Sequence, residues 1–172
     1  IVSVDDHVVE PRDLFEGRLP AKYADRAPRV VENALGQEMW LFEGEEYPNF
    51  GLNAVAGRPQ EEFGVEPTTY AAIREGCYDV HARIADMDAG GVLGSMSFPS
   101  WPQFCGQAFT NCAVRTGDHE FALAVLQAYN DWAIDEWCAA YPGRFIPQGI
   151  VPMWDVDLAV AEAEAAAKAL KA

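Results

Sequence analysis

Apolar and polar positions along this chain fall into stretches of different period, and each period predicts an element. Val2 and Val4 flank Ser3 in a short run bounded by charge and then by Pro11, which predicts a buried strand. Residues 11–76 are rich in Pro, Gly and charge and hold no sustained period. Within them, RVVENALGQEMWLF sets two β-prone runs around a Gly-containing turn, predicting a β-hairpin over residues 29–47 that projects from the fold. From Tyr78 onward the text becomes regular. Val80, Ile84 and Met87 recur at helical spacing and the pattern stops at Gly90 and Gly91, which suit a helix C-terminus. VLGSMSFP reads as the next strand. Asp118 is placed to cap a longer helix whose apolar stripe is Ala122, Val125, Leu126, Tyr129, Ala133 and Trp137. RFIPQGIVP reads as a third strand, with Pro147 arguing for an edge or a bulge. Asp155 or Asp157 then caps an Ala-rich helix expected to run to Ala172 with Glu162 and Glu164 on its exposed side.

The order is therefore strand, insertion, helix, strand, helix, strand, helix. Alternation of strand and helix implies an α/β fold with parallel pairing through right-handed crossovers. An open doubly wound sheet and a (β/α)8 barrel both satisfy it. A barrel takes about 250 residues and eight units, whereas 172 residues supply three. On the barrel reading, residues 1–172 are its N-terminal part, with an insertion at about 11–76 after the first strand. Ile1 in place of an initiator Met leads us to expect residues before it.

Composition narrows the partners. Twenty-seven acidic against twelve basic residues give a formal charge of -15, which repels nucleic acid and anionic lipid and leaves no basic patch to contact either. A small-molecule substrate remains as the expected partner, and self-association stays open. The four Cys residues at 77, 105, 112 and 138 form no C-x-x-C pair, and no stretch reads as a signal peptide or a membrane span. Free thiols in a soluble, cytoplasmic protein are the expectation.

The first strand ends in Asp5, Asp6 and His7, with Glu10 just beyond. Period-two alternation puts Val2, Val4 and Asp6 on one face and Ile1, Ser3, Asp5 and His7 on the other. With the valine face against helices, Asp5 and His7 would line a barrel interior at its carboxyl end, where barrel enzymes place their chemistry. A carboxylate and an imidazole two residues apart can share one divalent cation, and Glu10 could add a third oxygen. D-x-H is a short pattern, and read from spacing alone the same residues are first a solvated strand end with His7 hydrogen-bonded to a carboxylate.

Three stretches carry a family likeness: SVDDHVVEP at the first strand, RIADMDAGGVLGSMSFPS at residues 83–100, and AYNDWAIDEWCAAYPGRFIPQGIVPMWDVDLAVAE at 128–162. Together they resemble the amidohydrolase-related family, in the branch that includes aminocarboxymuconate-semialdehyde decarboxylase. The resemblance implies a metal-dependent (β/α)8 barrel, a hydrolase or carboxy-lyase, whose first strand carries an H-x-H metal motif and whose later strands carry further His ligands and a catalytic Asp. Asp5 stands where that motif has its first His, and His7 stands at the second. Zinc is the metal so implied, and a carboxylate in the motif also suits manganese. The catalytic acid or base is then expected on strands after Ala172. Phe98, Pro99 and Ser100, at the end of the second strand, would line the substrate pocket; otherwise they are a strand-to-loop exit.

Other motifs fail on spacing or context. DMDAGG starts like a calcium loop but has Ser97 where Glu is needed. Cys105 and Cys112 lie too far apart for a zinc pair and read as buried thiols, and His81 and His119 read as surface residues. FGLNAVAGRP lacks the glycine order of a phosphate loop. Trp132, Trp137 and Tyr129 read as helix packing. A non-enzymatic alternative is a truncated or degenerate barrel acting through association with another chain.

Overall fold

The computed structural model describes residues 1–48, 54–63 and 68–169. Its centre is a pair of parallel strands, β1 (Val2–His7) and β5 (Gly94–Phe98). Between them in sequence come β2 (Arg29–Glu32), β3 (Glu38–Phe42) and β4 (Glu45–Tyr47), an antiparallel sheet in the order β2-β3-β4, and then helix α1 (Val80–Ala89). After β5 follow α2 (Gln107–Thr116), α3 (His119–Trp132), a π-helical continuation over Ala133–Cys138, and α4 (Val156–Ala169).

The helix starts follow their capping residues. Asp79 accepts from the Ala82 N–H at 2.8 Å, Asp118 from Phe121 at 3.1 Å, and Asp155 from Leu158 at 3.0 Å, each satisfying an N–H that the helix itself cannot. Asp155 is thus the cap of α4 and Asp157 lies in its first turn. The α3 stripe is buried at Ala122, Val125, Leu126 and Tyr129 as its spacing requires.

The expected hairpin forms, with Arg29 opposite Leu41 and Glu32 opposite Glu38, and a third strand joins it through a two-residue turn. Glu43 and Gly44 both have positive φ there, 49° and 80°, the pairing of signs that matches the strand twist. The sheet does not project. Trp40 and Phe42 are fully buried; Trp40 stacks on Trp101 at 5.0 Å and meets Phe15 at 5.8 Å, while Phe42 meets Phe121 at 5.9 Å. The insertion therefore supplies the centre of the core. Residues 50–53 of the FGLNAVAGRP stretch lie outside the described residues, as do the three residues expected to complete α4.

Four further expectations are corrected. The third parallel strand is reduced to one bridge, Ser95 with Phe145, held by Ser95 N–H to Arg144 O at 2.9 Å and Ile146 N–H to Ser95 O at 2.8 Å; the next residue, Pro147, has no N–H to extend it. The described residues thus form a short parallel sheet and not a closed barrel. Val2 and Val4 are 50 % and 61 % exposed instead of packed on helices. Glu162 is buried, taking N–H bonds from Asn130 at 2.9 Å and Gln127 at 3.0 Å. All four thiols are free, but Cys105 is exposed while Cys77 and Cys112 are buried. Among the described residues no helix is long and apolar enough to cross a membrane.

Candidate functional site

A cavity of about 530 Å³ opens at the carboxyl ends of β1 and β5. Asp5, His7 and Val8 reach it from the first strand and Ser97, Phe98, Pro99 and Ser100 from the second. Parallel strands deliver their last residues to a common end, so two segments ninety positions apart in sequence meet there by topology alone. His7 pairs in register with Phe98, their rings 5.9 Å apart, and the Val8 N–H donates to Phe98 O at 2.9 Å.

Strict alternation does not hold along β1. Ser3 pairs with Ser95 and Asp6 with Ser97, so three steps on one strand match two on the other. This irregularity turns Asp6 to the side that Ser3 occupies. Its carboxylate accepts from Ser3 Oγ at 2.7 Å and from Ser95 Oγ, and both donors compete for the lone pairs a cation would use. Asp6 is thereby committed to the sheet, although not on the face opposite Ser3 as alternation predicts. Asp5 and His7 both reach the cavity.

Glu10 is placed elsewhere. It is fully buried and accepts the Ser100 N–H at 2.9 Å, the Trp101 N–H at 3.1 Å and the Tyr129 hydroxyl at 3.5 Å. Burial pushes its carboxyl up to about 7, against the lowering effect of the two amides. With its oxygens spent on the turn after β5, it does not join Asp5 and His7. Among the described residues no group of three or more His, Cys, Asp or Glu side chains is placed to hold a metal ion. The donor set thus fits a divalent cation in part: Asp5 and His7 are of the right chemical type and share one cavity, and the remaining ligands would have to come from elsewhere.

Arg83 of α1 fixes the end of β1 from behind. Its guanidinium donates to His7 O at 2.7 Å and to Gly76 O, and lies 5.6 Å from the Trp137 ring centre. Desolvation pulls its pKa below the ordinary value, with Cys77, Asp6 and Asp86 opposing. The backbone that carries the imidazole is therefore held by a half-buried cation.

The opposite wall was not legible as a site. Tyr129, Trp132 and Trp137, read from sequence as packing, are buried and also line the cavity, and the Trp137 indole N–H donates to Ser97 Oγ at 3.4 Å. Cys138 lines it too, its thiol pushed up to about 11 by burial, which keeps it protonated and poorly nucleophilic. A helical stripe looks the same from sequence whether it meets a core or a cavity wall. His81 and His119 are exposed as expected, His81 against the Tyr141 hydroxyl at 2.9 Å.

The mouth holds the least regular backbone of the cavity wall. Gln103 has φ 64° with ψ -176°, Cys105 φ 52° with ψ 29°, and Gly106 φ 69°. The Gln103 combination is one that side chains other than Gly rarely adopt, at a cost of about 1–3 kcal/mol. Between the two strained residues Phe104 is 88 % exposed.

The fold is similar to the crystal structure of an amidohydrolase from Mycobacterium avium subsp. paratuberculosis K-10, with a TM-score of 0.68 at 20 % sequence identity. The match covers 98 % of this chain and 47 % of that one, so the chain spans about half the length of its solved neighbour. No family model matches the sequence, and neither does any curated protein. The likeness is one of fold.

Proposed function

We propose that this chain is the N-terminal part of a metal-dependent (β/α)8 enzyme of the amidohydrolase-related type, a hydrolase or carboxy-lyase acting on a small organic substrate with a carbonyl or carboxylate. The observation that carries this reading is the delivery of Asp5 and His7 to one cavity at the carboxyl ends of two parallel strands, in a chain with the fold of half an amidohydrolase. Asp5 and His7 would hold a divalent cation, zinc or manganese, together with ligands outside this chain's described residues. Such a cation supplies a nucleophilic water at neutral pH or polarises a carbonyl oxygen. Phe98, Pro99 and Ser100 shape the substrate side of the cavity, while Arg83 and Glu10 fix the strand end and the turn on which those groups sit.

Elemental analysis of the protein carrying this chain tests the reading. His7→Ala should sharply reduce bound divalent metal, because it removes one of few ligands. Asp6→Ala, whose carboxylate serves Ser3 and Ser95, should leave metal content nearly unchanged. Equal metal in wild type and His7→Ala, or a loss confined to Asp6→Ala, would sink the assignment.

A further inference from the structure

Glu10 is the most deeply buried carboxyl group of the described residues, and this chain alone encloses it. Its Oε1 takes the Ser100 N–H at 2.9 Å and the Tyr129 hydroxyl at 3.5 Å, and its Oε2 takes the Trp101 N–H at 3.1 Å. Two of these partners are amides, which can only donate, whereas a hydroxyl can donate or accept. The pocket therefore satisfies both forms of the carboxyl. Ionised, Glu10 accepts all three donors. Neutral, it carries its proton on Oε1, where the Tyr129 oxygen is the acceptor within reach. The Ser100 N–H keeps the remaining lone pair of Oε1 and the Trp101 N–H keeps Oε2, so no bond to the turn is lost and only the Tyr129 contact reverses.

Tyr129 carries that reversal to the cavity. Its ring and Ser100 both line the wall, with Glu10 behind them. Among the described residues Glu10 is the one hydrogen-bond partner of its hydroxyl, so a phenolic hydrogen displaced from Glu10 turns away from the carboxyl, to the side where the ring borders the cavity. The group stays a phenol throughout, because burial and the neighbouring Glu10 push its pKa well up. Burial of Glu10 brings its own carboxyl up to about 7, which sets the change at neutral pH.

The other groups around the pair keep their charge state there. Tyr70 donates its hydroxyl to Glu10 O at 2.6 Å and is raised by burial. Arg12 lies 5.2 Å over the Tyr70 ring and pairs with Glu38 of β3, which takes the Tyr70 N–H at 2.6 Å. Cys138, beyond Tyr129, is raised to about 11. Arg83 of α1 is spent on His7 O and Gly76 O. His7 shares the cavity without a bond to Glu10 and is the one neighbour whose ordinary range also spans neutral pH.

We propose that Glu10 and Tyr129 form a pH-sensitive switch in the cavity wall: with Glu10 ionised the phenol gives its hydrogen to the buried carboxylate and offers the cavity lone pairs, and with Glu10 neutral it turns that hydrogen to the cavity as a donor. The wall thus favours an oxygen acceptor of a ligand, such as a carbonyl or carboxylate, on the acid side of the change and disfavours it on the alkaline side. The switch needs neither the metal nor the reaction proposed above.

NMR of the protein carrying this chain, labelled with 13C at tyrosine Cζ and glutamate Cδ, tests it, since Cζ responds to whether the phenol donates or accepts. Tyr129→Phe and Glu10→Gln identify the two signals by their loss. Between about pH 5 and 9 the Tyr129 Cζ shift of wild type should move in one step with the same midpoint as Glu10 Cδ. The step should vanish in Glu10→Gln, which cannot ionise, and persist in His7→Ala. A flat Tyr129 signal, a midpoint different from that of Glu10, a step that survives Glu10→Gln, or one lost in His7→Ala overturns the proposal. The comparison of the two midpoints is made in wild type, and it decides the matter even if Glu10→Gln fails to fold.

Discussion

Glu10→Gln reports on a buried carboxyl whose proton affinity folding has changed. In the folded chain burial raises Glu10 from 4.5 to about 7, which means that the fold favours the protonated form. The sign follows: the stability contributed by protonated Glu10 is fully present below pH 4.5 and is lost as pH rises through about 7. At about 1.4 kcal/mol per tenfold change in proton affinity, the total loss is about 3 kcal/mol. Gln cannot ionise, so the variant escapes this loss. It has a cost of its own, because a carboxyl group whose two oxygens accept from the Ser100 and Trp101 N–H groups, the hydroxyl oxygen of the protonated form included, becomes an amide with one oxygen, and an amide NH2 then faces a backbone donor, at about 1–3 kcal/mol. Wild type should therefore be the more stable protein near pH 4.5, and the difference should shrink steadily towards pH 8 and approach zero or reverse. Urea titrations followed by Trp fluorescence at half-unit steps of pH give both curves, and their difference cancels every other titrating group. A difference that is flat between pH 4.5 and 8, or that widens with rising pH, refutes the reasoning.

The other expectations are more local. Gly106→Ala should lower stability by more than 1 kcal/mol, because the new Cβ meets Ile150 and φ is positive; a urea midpoint equal to wild type would contradict the packed turn. Asp118→Ala removes the α3 cap and should cost about 0.5–2 kcal/mol at neutral pH. Because Arg26 holds the Asp118 carboxyl below its usual range, the wild-type advantage should fade as pH is lowered through that range, which urea melts at acid pH would show. The metal contents of His7→Ala and Asp6→Ala complete the set.

Legibility in the sequence followed the range of the physics involved. Caps act within one turn, so Asp118 and, as one of two candidates, Asp155 could be read directly, as could the α3 stripe. Helix α2 could not: QAFTNCAVRT has several weak helix formers and follows Gly106, which offers no capping side chain. The exposed side of α4 was misjudged because an Ala-rich helix has no stripe to orient it, and the group that draws Glu162 inward, Asn130, lies on another helix. Alternation failed along β1 for a related reason. A register slip between Ser3 and Asp6 belongs to a pair of strands, and nothing in one strand announces it. Cys105 came out exposed because its strained turn is set by the close packing of Gly106 on Ile150.

The three residues that spacing groups at the end of β1 divide their work. Asp5 and His7 face the cavity, whereas Glu10 looks away from it and fastens the chain leaving β1 to the Ser100–Trp101 turn leaving β5. Tyr70, from the insertion, adds a hydroxyl bond to Glu10 O at 2.6 Å. Trp101 then stacks on Trp40 of β3 and meets the edges of Phe15, Phe42 and Phe109 at 5.6–5.9 Å. The antiparallel sheet thus stands directly behind the turn that presents Phe98, Pro99 and Ser100. This explains why a segment so rich in Pro, Gly and charge carries two of the most deeply buried rings of the chain. Strand ends are the least restrained part of a parallel sheet, since hydrogen bonding to the neighbour stops there. A site built on them needs support that the two strands cannot give each other, and here a buried carboxyl and an aromatic stack provide it.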